Sequence, residues 1–200
     1  MSEKQQAPKD RNVPHWYDAS ERPIDNVPSD IAAILESVQE RSGFLPNIYR
    51  ALAHRPDEFR AFFAYHDALM RSPSGLSHAE KELIVVSTSA RNQCLYCVIA
   101  HGAILRIRSG KAHLADQVSV DPSSAGLSNR EEAILTYAHK VSQHANTVEP
   151  SDFRPLYDVG CDDNDIWIIG SIAAFFALSN RLVGFAKVMP NPEFYDLGRS

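Results

Sequence analysis

Cysteine is scarce in this 200-residue chain, which has three, at positions 94, 97 and 161. That number is too small for a secreted scaffold stapled by disulfides. The segment from Met1 to Asp10 has no apolar core and carries both signs of charge, so a secretory signal is not expected. The longest apolar run, 166–178, is interrupted by Gly170 and Ser171 and falls short of a bilayer, so a membrane is not an expected partner. Dense runs of Lys and Arg are also missing, and the formal net charge is -5. Without a basic field to attract a phosphate backbone, nucleic acid is not an expected partner either. No stretch alternates apolar and polar residues for long enough to make a strand. What these absences leave is a cytoplasmic globular domain, and 44% hydrophobic content supplies it with a core.

Helical signals are plentiful. Four prolines among polar residues in the first 28 positions predict an extended arm over 1–28, with Trp16 as its anchor to a surface. Beyond it, over 29–200, the pattern predicts an all-α, multi-helical bundle of seven or eight helices in a single domain. Ser29 is a candidate cap for Ile31, Ile34, Leu35 and Val38 at helical spacing, stopped by Gly43. A short turn lies between Pro46 and Pro56, and a helix bearing Phe59, Phe62 and Phe63 ends before Ser72-Pro73-Ser74-Gly75. Ser77 with Glu80, and Ser128 with Glu131, have capping-box spacing. A short helix is expected from Pro150 to Gly160, and a long one from a cap at Asp162 or Asp163 to Pro190.

The chemistry-bearing segment is NQCLYCVIAHGAIL. On one helix Cys94, Cys97 and His101 occupy positions i, i+3 and i+7, which fall within roughly 60° of one another at 100° per residue. Arg91-Asn92-Gln93 reads as the end of the preceding helix, so Cys94 lies in the first turn of the next. Unpaired N–H groups and the helix dipole there favour a thiolate. A second cysteine one turn away can close a disulfide on an oxidised neighbour without any cofactor. His101 supplies a proton carrier near neutral pH. Glu82, at the edge of the stripe Ala79, Leu83, Val86 and Ala90, is a candidate for a partly desolvated carboxylate of raised pKa.

Glu82, Cys94, Cys97 and His101 make the pattern E-x11-C-x2-C-x3-H, which resembles the signature of the alkylhydroperoxidase AhpD-like family, within the carboxymuconolactone decarboxylase superfamily. GFLPNIYRALAHRP, AYHDALM, LSHAEKELI and IAAFFALSNRLVGFAKVMPNPEF resemble its peroxidase-related branch. The resemblance covers residues 28–196. It implies an all-helical fold assembled as a homo-oligomer (dimer, trimer or hexamer) and thiol-dependent reduction of a hydroperoxide substrate, with a lipoyl or thioredoxin-like dithiol as reductant. Carried over by position, Cys97 is the peroxidatic thiol, Cys94 the resolving thiol and proton donor, and Glu82 with His101 the proton relay. Some members have a His next to the second cysteine, where this chain has Tyr96.

Three other readings compete. The two cysteines can be small core residues. The C-x2-C-x3-H group can hold zinc with Glu82 or Cys161, although no second CxxC or HxxxH supplies the usual second ligand pair. The same superfamily includes decarboxylases, which have no use for a dithiol. His66 sits among aromatics and is read as a core histidine in preference to a site residue. His54, His78, His113, His139 and His144 fall near helix ends or on polar faces, and Cys161 is read as a free thiol.

Overall fold

The computed structural model describes residues 14, 16–18, 24 and 26–199. Most of the expected arm therefore lies outside the described residues. Of its described part, Trp16 packs edge-on against Phe185 at 5.4 Å, and the Asp18 N–H donates to the Ala186 carbonyl at 2.9 Å.

Ten α-helices and no strand occur among the described residues: α1 (Ser29–Ser42), α2 (Asn47–Leu52), α3 (Pro56–Met70), α4 (His78–Arg91), α5 (Leu95–Ser109), α6 (Leu114–Val120), α7 (Asn129–His144), α8 (Arg154–Asp158), α9 (Asp163–Ala186) and α10 (Glu193–Asp196). The two beyond the expected eight are α6 and α10, of seven and four residues, and neither has the side-chain cap that would announce it. Both expected capping boxes are formed, and Asp162 with Asp165 makes a third at the head of α9. Two boundaries differ from expectation. Pro28, not Ser29, precedes α1, and no side chain caps it. Helix α9 stops at Ala186 because Lys187 turns into the left-handed region (φ 53), short of Pro190.

Helix α4 is the hub, buried without interruption from Lys81 to Ser89. It forms a tight hairpin with α5 and packs against α6, α7 and α9. At 24 residues α9 is longer than the apolar run inside it, and by length and composition it is apolar enough to cross a membrane. Here 56% of its most apolar window is buried, and the helix packs on α3, α4 and α7 as a core helix does. The main core joins Ile84, Val85, Leu105, Ile134, Ile169 and Phe176.

Two smaller apolar clusters flank that core, one around the cysteines and one between α1, α2 and α3. Buried polar side chains tie the C-terminal segment over the seam between them. Arg106 donates to the Phe194 carbonyl at 2.7 Å and the Leu197 carbonyl at 2.9 Å. Asn191 accepts the Asn47 N–H at 2.7 Å and donates to the Leu45 carbonyl at 3.0 Å. The seam is thereby roofed, and a cavity lies beneath it.

Candidate active site

The site is built at a helix break. Past Arg91, Gln93 takes the left-handed conformation (φ 57). Its N–H returns to the Ala90 carbonyl and that of Cys94 to the Ser89 carbonyl, both at 3.0 Å. This closure normally employs glycine, and a side chain in that conformation costs roughly 1–2 kcal/mol. The chain passes from it straight into α5, with Cys94 as the residue just before the first turn, one position earlier than expected. The Cys94 sulfur does what a Ser or Asp oxygen does at most helix starts, accepting the Cys97 N–H, here at 3.4 Å.

The two sulfurs lie 2.8 Å apart and share a hydrogen bond. Both residues are buried free thiols. Closing a disulfide requires an approach of about 0.8 Å. The hydrogen bond with Cys97 is the main reason the Cys94 thiol is brought down to about 7. Burial opposes this, and the Cys97 N–H, the Asn180 side chain and His101 add to it. Cys97 is pushed up, by the same hydrogen bond with Cys94 and then by burial.

Glu82 and His101 meet across the α4/α5 hairpin, with His101 Nδ1 2.8 Å from Glu82 Oε2 and both side chains largely buried. Cys97 and His101 both face the roofed cavity, about 460 Å³ in volume, while Cys94 lies behind Cys97 and does not face it. Its walls are mainly apolar and aromatic, with Phe44, Phe62, Phe63, Phe176 and Phe194 among them, and Arg41 also lines it. Sequence reasoning thus named four residues that the fold does bring together in two touching pairs.

The carboxymuconolactone decarboxylase family model matches residues 56–140, which hold all four. Over nearly the whole length, the chain is similar to an uncharacterized peroxidase-related protein from Ralstonia eutropha JMP134 with an alkylhydroperoxidase AhpD core. The identity is 49%, covering 91% of this chain and 97% of the other, with a TM-score of 0.88. The chain belongs to the AhpD-like branch of that family. An uncharacterized peroxidase-related protein from Silicibacter sp. TM1040 is 34% identical, over 90% of this chain and 95% of that one, with a TM-score of 0.85. The debrominase Bmp8 shares the fold at 17% identity, with 83% and 88% covered and a TM-score of 0.70. No curated protein matches the chain.

Within this AhpD-like scaffold, several site neighbours escaped sequence reasoning. His66 on α3 faces the cavity, its ring 6.3 Å from that of His101, and shares a hydrogen bond with Asp67 at 3.0 Å. Burial, then the nearby His101, lowers its pKa. Of the two sequence readings of His66, its place on the cavity wall fits the site-facing one and its bond to Asp67 the other. Ser179 on α9 lines the cavity with Cys97, and its neighbour Asn180 is bonded to Ser89 and Asn92 at the helix break. They had one visible signal, the polar run Ser179-Asn180-Arg181 after a long apolar stretch. Tyr96, 5% exposed, accepts the Ile48 N–H at 3.3 Å, and burial raises its phenol pKa well above the ordinary value. Cys161 lies in the main core cluster, away from the pair. Among the described residues no group of three His, Cys, Asp or Glu side chains converges as a metal ligand set.

Proposed function

We propose that this chain is a cytoplasmic thiol peroxidase that reduces organic hydroperoxides through the Cys94/Cys97 dithiol. The observation that carries this reading is the placement of Cys97 on the cavity wall with the Cys94 sulfur 2.8 Å behind it. A peroxide entering the cavity meets one sulfur, and the second is already in position to resolve the product.

The lowering of Cys94 and the raising of Cys97 favour the negative charge on Cys94 and the proton on Cys97. Passing that proton along the existing S–H···S contact makes Cys97 the thiolate facing the cavity, so the low pKa of Cys94 and the peroxidatic role of Cys97 are compatible. The Cys97 sulfur attacks the peroxide oxygen farther from the organic group. An S–O bond forms, the O–O bond breaks, and the alkoxide takes a proton from His101, whose charged form has Glu82 as counter-ion. Cys94 then loses its proton to the relay and attacks the Cys97 sulfenic acid, forming the disulfide as hydroxide leaves and is protonated to water. Two thiols and one hydroperoxide give one disulfide, one alcohol and one water. An external dithiol of lipoyl or thioredoxin type restores the pair. Tyr96, whose phenol stays protonated at neutral pH, has no part as a base.

The decarboxylase activity in the family's name is not favoured, since nothing in a decarboxylation uses paired sulfurs. The deciding experiment is titration of free thiols after stoichiometric cumene hydroperoxide, followed by reduction with dihydrolipoamide, thioredoxin or glutathione. Loss of both site thiols per peroxide, with recovery by a dithiol, is the expected result. Thiols that survive excess peroxide unchanged would sink the proposal.

A further inference from the structure

His66 and His101 are mounted alike. Each ring bonds a carboxylate through Nδ1, His101 to Glu82 at 2.8 Å and His66 to Asp67 at 3.0 Å. Both line the cavity with Cys97, and their ring centroids are 6.3 Å apart. Among the described residues neither Nε2 has a hydrogen-bond partner, and no buried side-chain nitrogen or oxygen lacks one, so both atoms are open to an incoming group. The proton relay employs only the first of these two pairs.

What the free nitrogen offers differs between them. Asp67, partly exposed and also paired with Arg71 at 3.4 Å, is a carboxylate and can only accept. The hydrogen between it and His66 therefore belongs to Nδ1, and in the neutral ring Nε2 is a bare acceptor. Burial, then the neighbouring His101, lowers the His66 pKa and keeps the ring neutral. The ionisable groups around it are Asp67 on its own helix, His101 on α5 and Glu82 on α4, while α9 packs the neutral Phe175 and Phe176 against it. His101, with Glu82 as counter-ion, is instead a donor when charged. A hydroperoxide has a use for both, because its terminal oxygen carries an O–H and its inner oxygen leaves as an alkoxide.

We propose that His66 is a catalytic residue of the peroxide step, its Nε2 accepting the O–H of the bound hydroperoxide while His101 addresses the oxygen that leaves. This rests on the thiol-peroxidase reading above. Two hydrogen bonds of about 2.8 Å with the short O–O bond between them span at most about 7 Å, which the 6.3 Å between the rings permits. Held at both oxygens, the O–O bond has a fixed direction and presents its terminal oxygen to Cys97. The O–H hydrogen is not transferred. As the S–O bond forms and the O–O bond breaks, the terminal oxygen keeps it, first in the hydroperoxide and then in the Cys97 sulfenic acid. The proton that the alkoxide takes comes from His101.

The test compares two reactions of the full chain at neutral pH: sulfenic acid formation by cumene hydroperoxide, and thiol modification by methyl methanethiosulfonate, a reagent with no hydrogen-bond donor. His66→Phe keeps an aromatic ring in place but has no acceptor. It should slow the peroxide reaction about tenfold and leave thiol modification within about twofold of wild type. His66→Gln, whose amide oxygen reaches the place of Nε2, should restore most of the peroxide rate. In Asp67→Asn the amide oxygen stays with Arg71 and the NH2 group faces Nδ1, which moves the ring hydrogen to Nε2 and should slow the peroxide reaction in the same way. Asp67 does not line the cavity, and this variant carries the test if both His66 variants fail to fold. A wild-type peroxide rate in His66→Phe would overturn the inference, and so would equal slowing of both reactions, the mark of a residue that only shapes the thiol. Wild-type thiols inert to peroxide would overturn the peroxidase reading and this inference together.

Discussion

Helix α4 presents a histidine partner on each of two faces, and the contrast between them separates chemistry from packing. Glu82 meets His101 at 2.8 Å, and five residues on, around the helix, Ser87 meets His139 at 2.7 Å. Both rings are at least partly shielded from water and both are hydrogen-bonded. His101 borders a cavity and has a carboxylate beside it, so a proton arriving on the ring finds a counter-charge and an opening to a substrate. His139 has a hydroxyl, which offers no counter-charge. Burial, with the charge of Arg91 added, drives its pKa down to about 4. Two histidines packed against the same hub are thus set differently, one as the proposed proton carrier and the other as a neutral packing group. The partner and the opening decide which.

The largest test of this contrast removes the chemistry from the Glu82 face. Cys97→Ser should reduce peroxide consumption to the uncatalysed rate while leaving urea stability near wild type. Cys94→Ser should stop after one step, with a sulfenic acid on Cys97 that dimedone labels. Full turnover by Cys97→Ser would end the proposed mechanism.

Next in size are paired substitutions along α4. Glu82→Gln and His101→Asn should each lower the rate with peroxide by about a hundredfold, the lower range for a positioned acid or base. Ser87→Ala should leave that rate within about threefold and lower stability by about 1 kcal/mol. Steady-state peroxide consumption and urea unfolding on the same four proteins would expose any error. Equal losses of activity on both faces would show that α4 acts only as a frame. Tyr96→Phe belongs with the small effects, since it removes one weak 3.3 Å contact to the Ile48 N–H and no base.

The contrast also explains what was legible in the sequence. The helix break at Arg91-Asn92-Gln93, the shared face of Cys94, Cys97 and His101, and the capping boxes are local, set by spacing within a few turns, and each could be read directly. Glu82 was reachable through its place at the edge of an apolar stripe and, above all, through the E-x11-C-x2-C-x3-H resemblance. His66, Ser179 and Asn180 come from α3 and α9, far away in sequence, and only packing brings them to the cavity and the helix break. Arg106 was equally hidden. As a residue near the end of a helix it resembles a solvated charge, yet it is 3% exposed and fastens the cavity roof. His139 was passed over as a residue on a polar face, because the α7 pattern does not reveal that Ser87 waits opposite it.

The smallest effect is a matter of pH and lies wholly on the Ser87 face. An unfolded histidine titrates near 6.5, whereas folded His139 titrates near 4. Between those values the unfolded chain binds a proton that the folded chain does not, so stability rises with pH across this window. The contribution is complete above 6.5 and is lost as the pH falls toward 4. His66, also lowered by burial, acts in the same direction. With its partial exposure allowed for, His139 should account for about 1 kcal/mol of the stability lost between pH 7.5 and pH 5. His139→Asn, which keeps a polar side chain opposite Ser87, should therefore unfold in urea with a shallower pH dependence than wild type and consume peroxide at an unchanged rate. Identical pH slopes for the two proteins would mean that His139 carries its proton in the folded state, and the distinction between the two faces of α4 would fail.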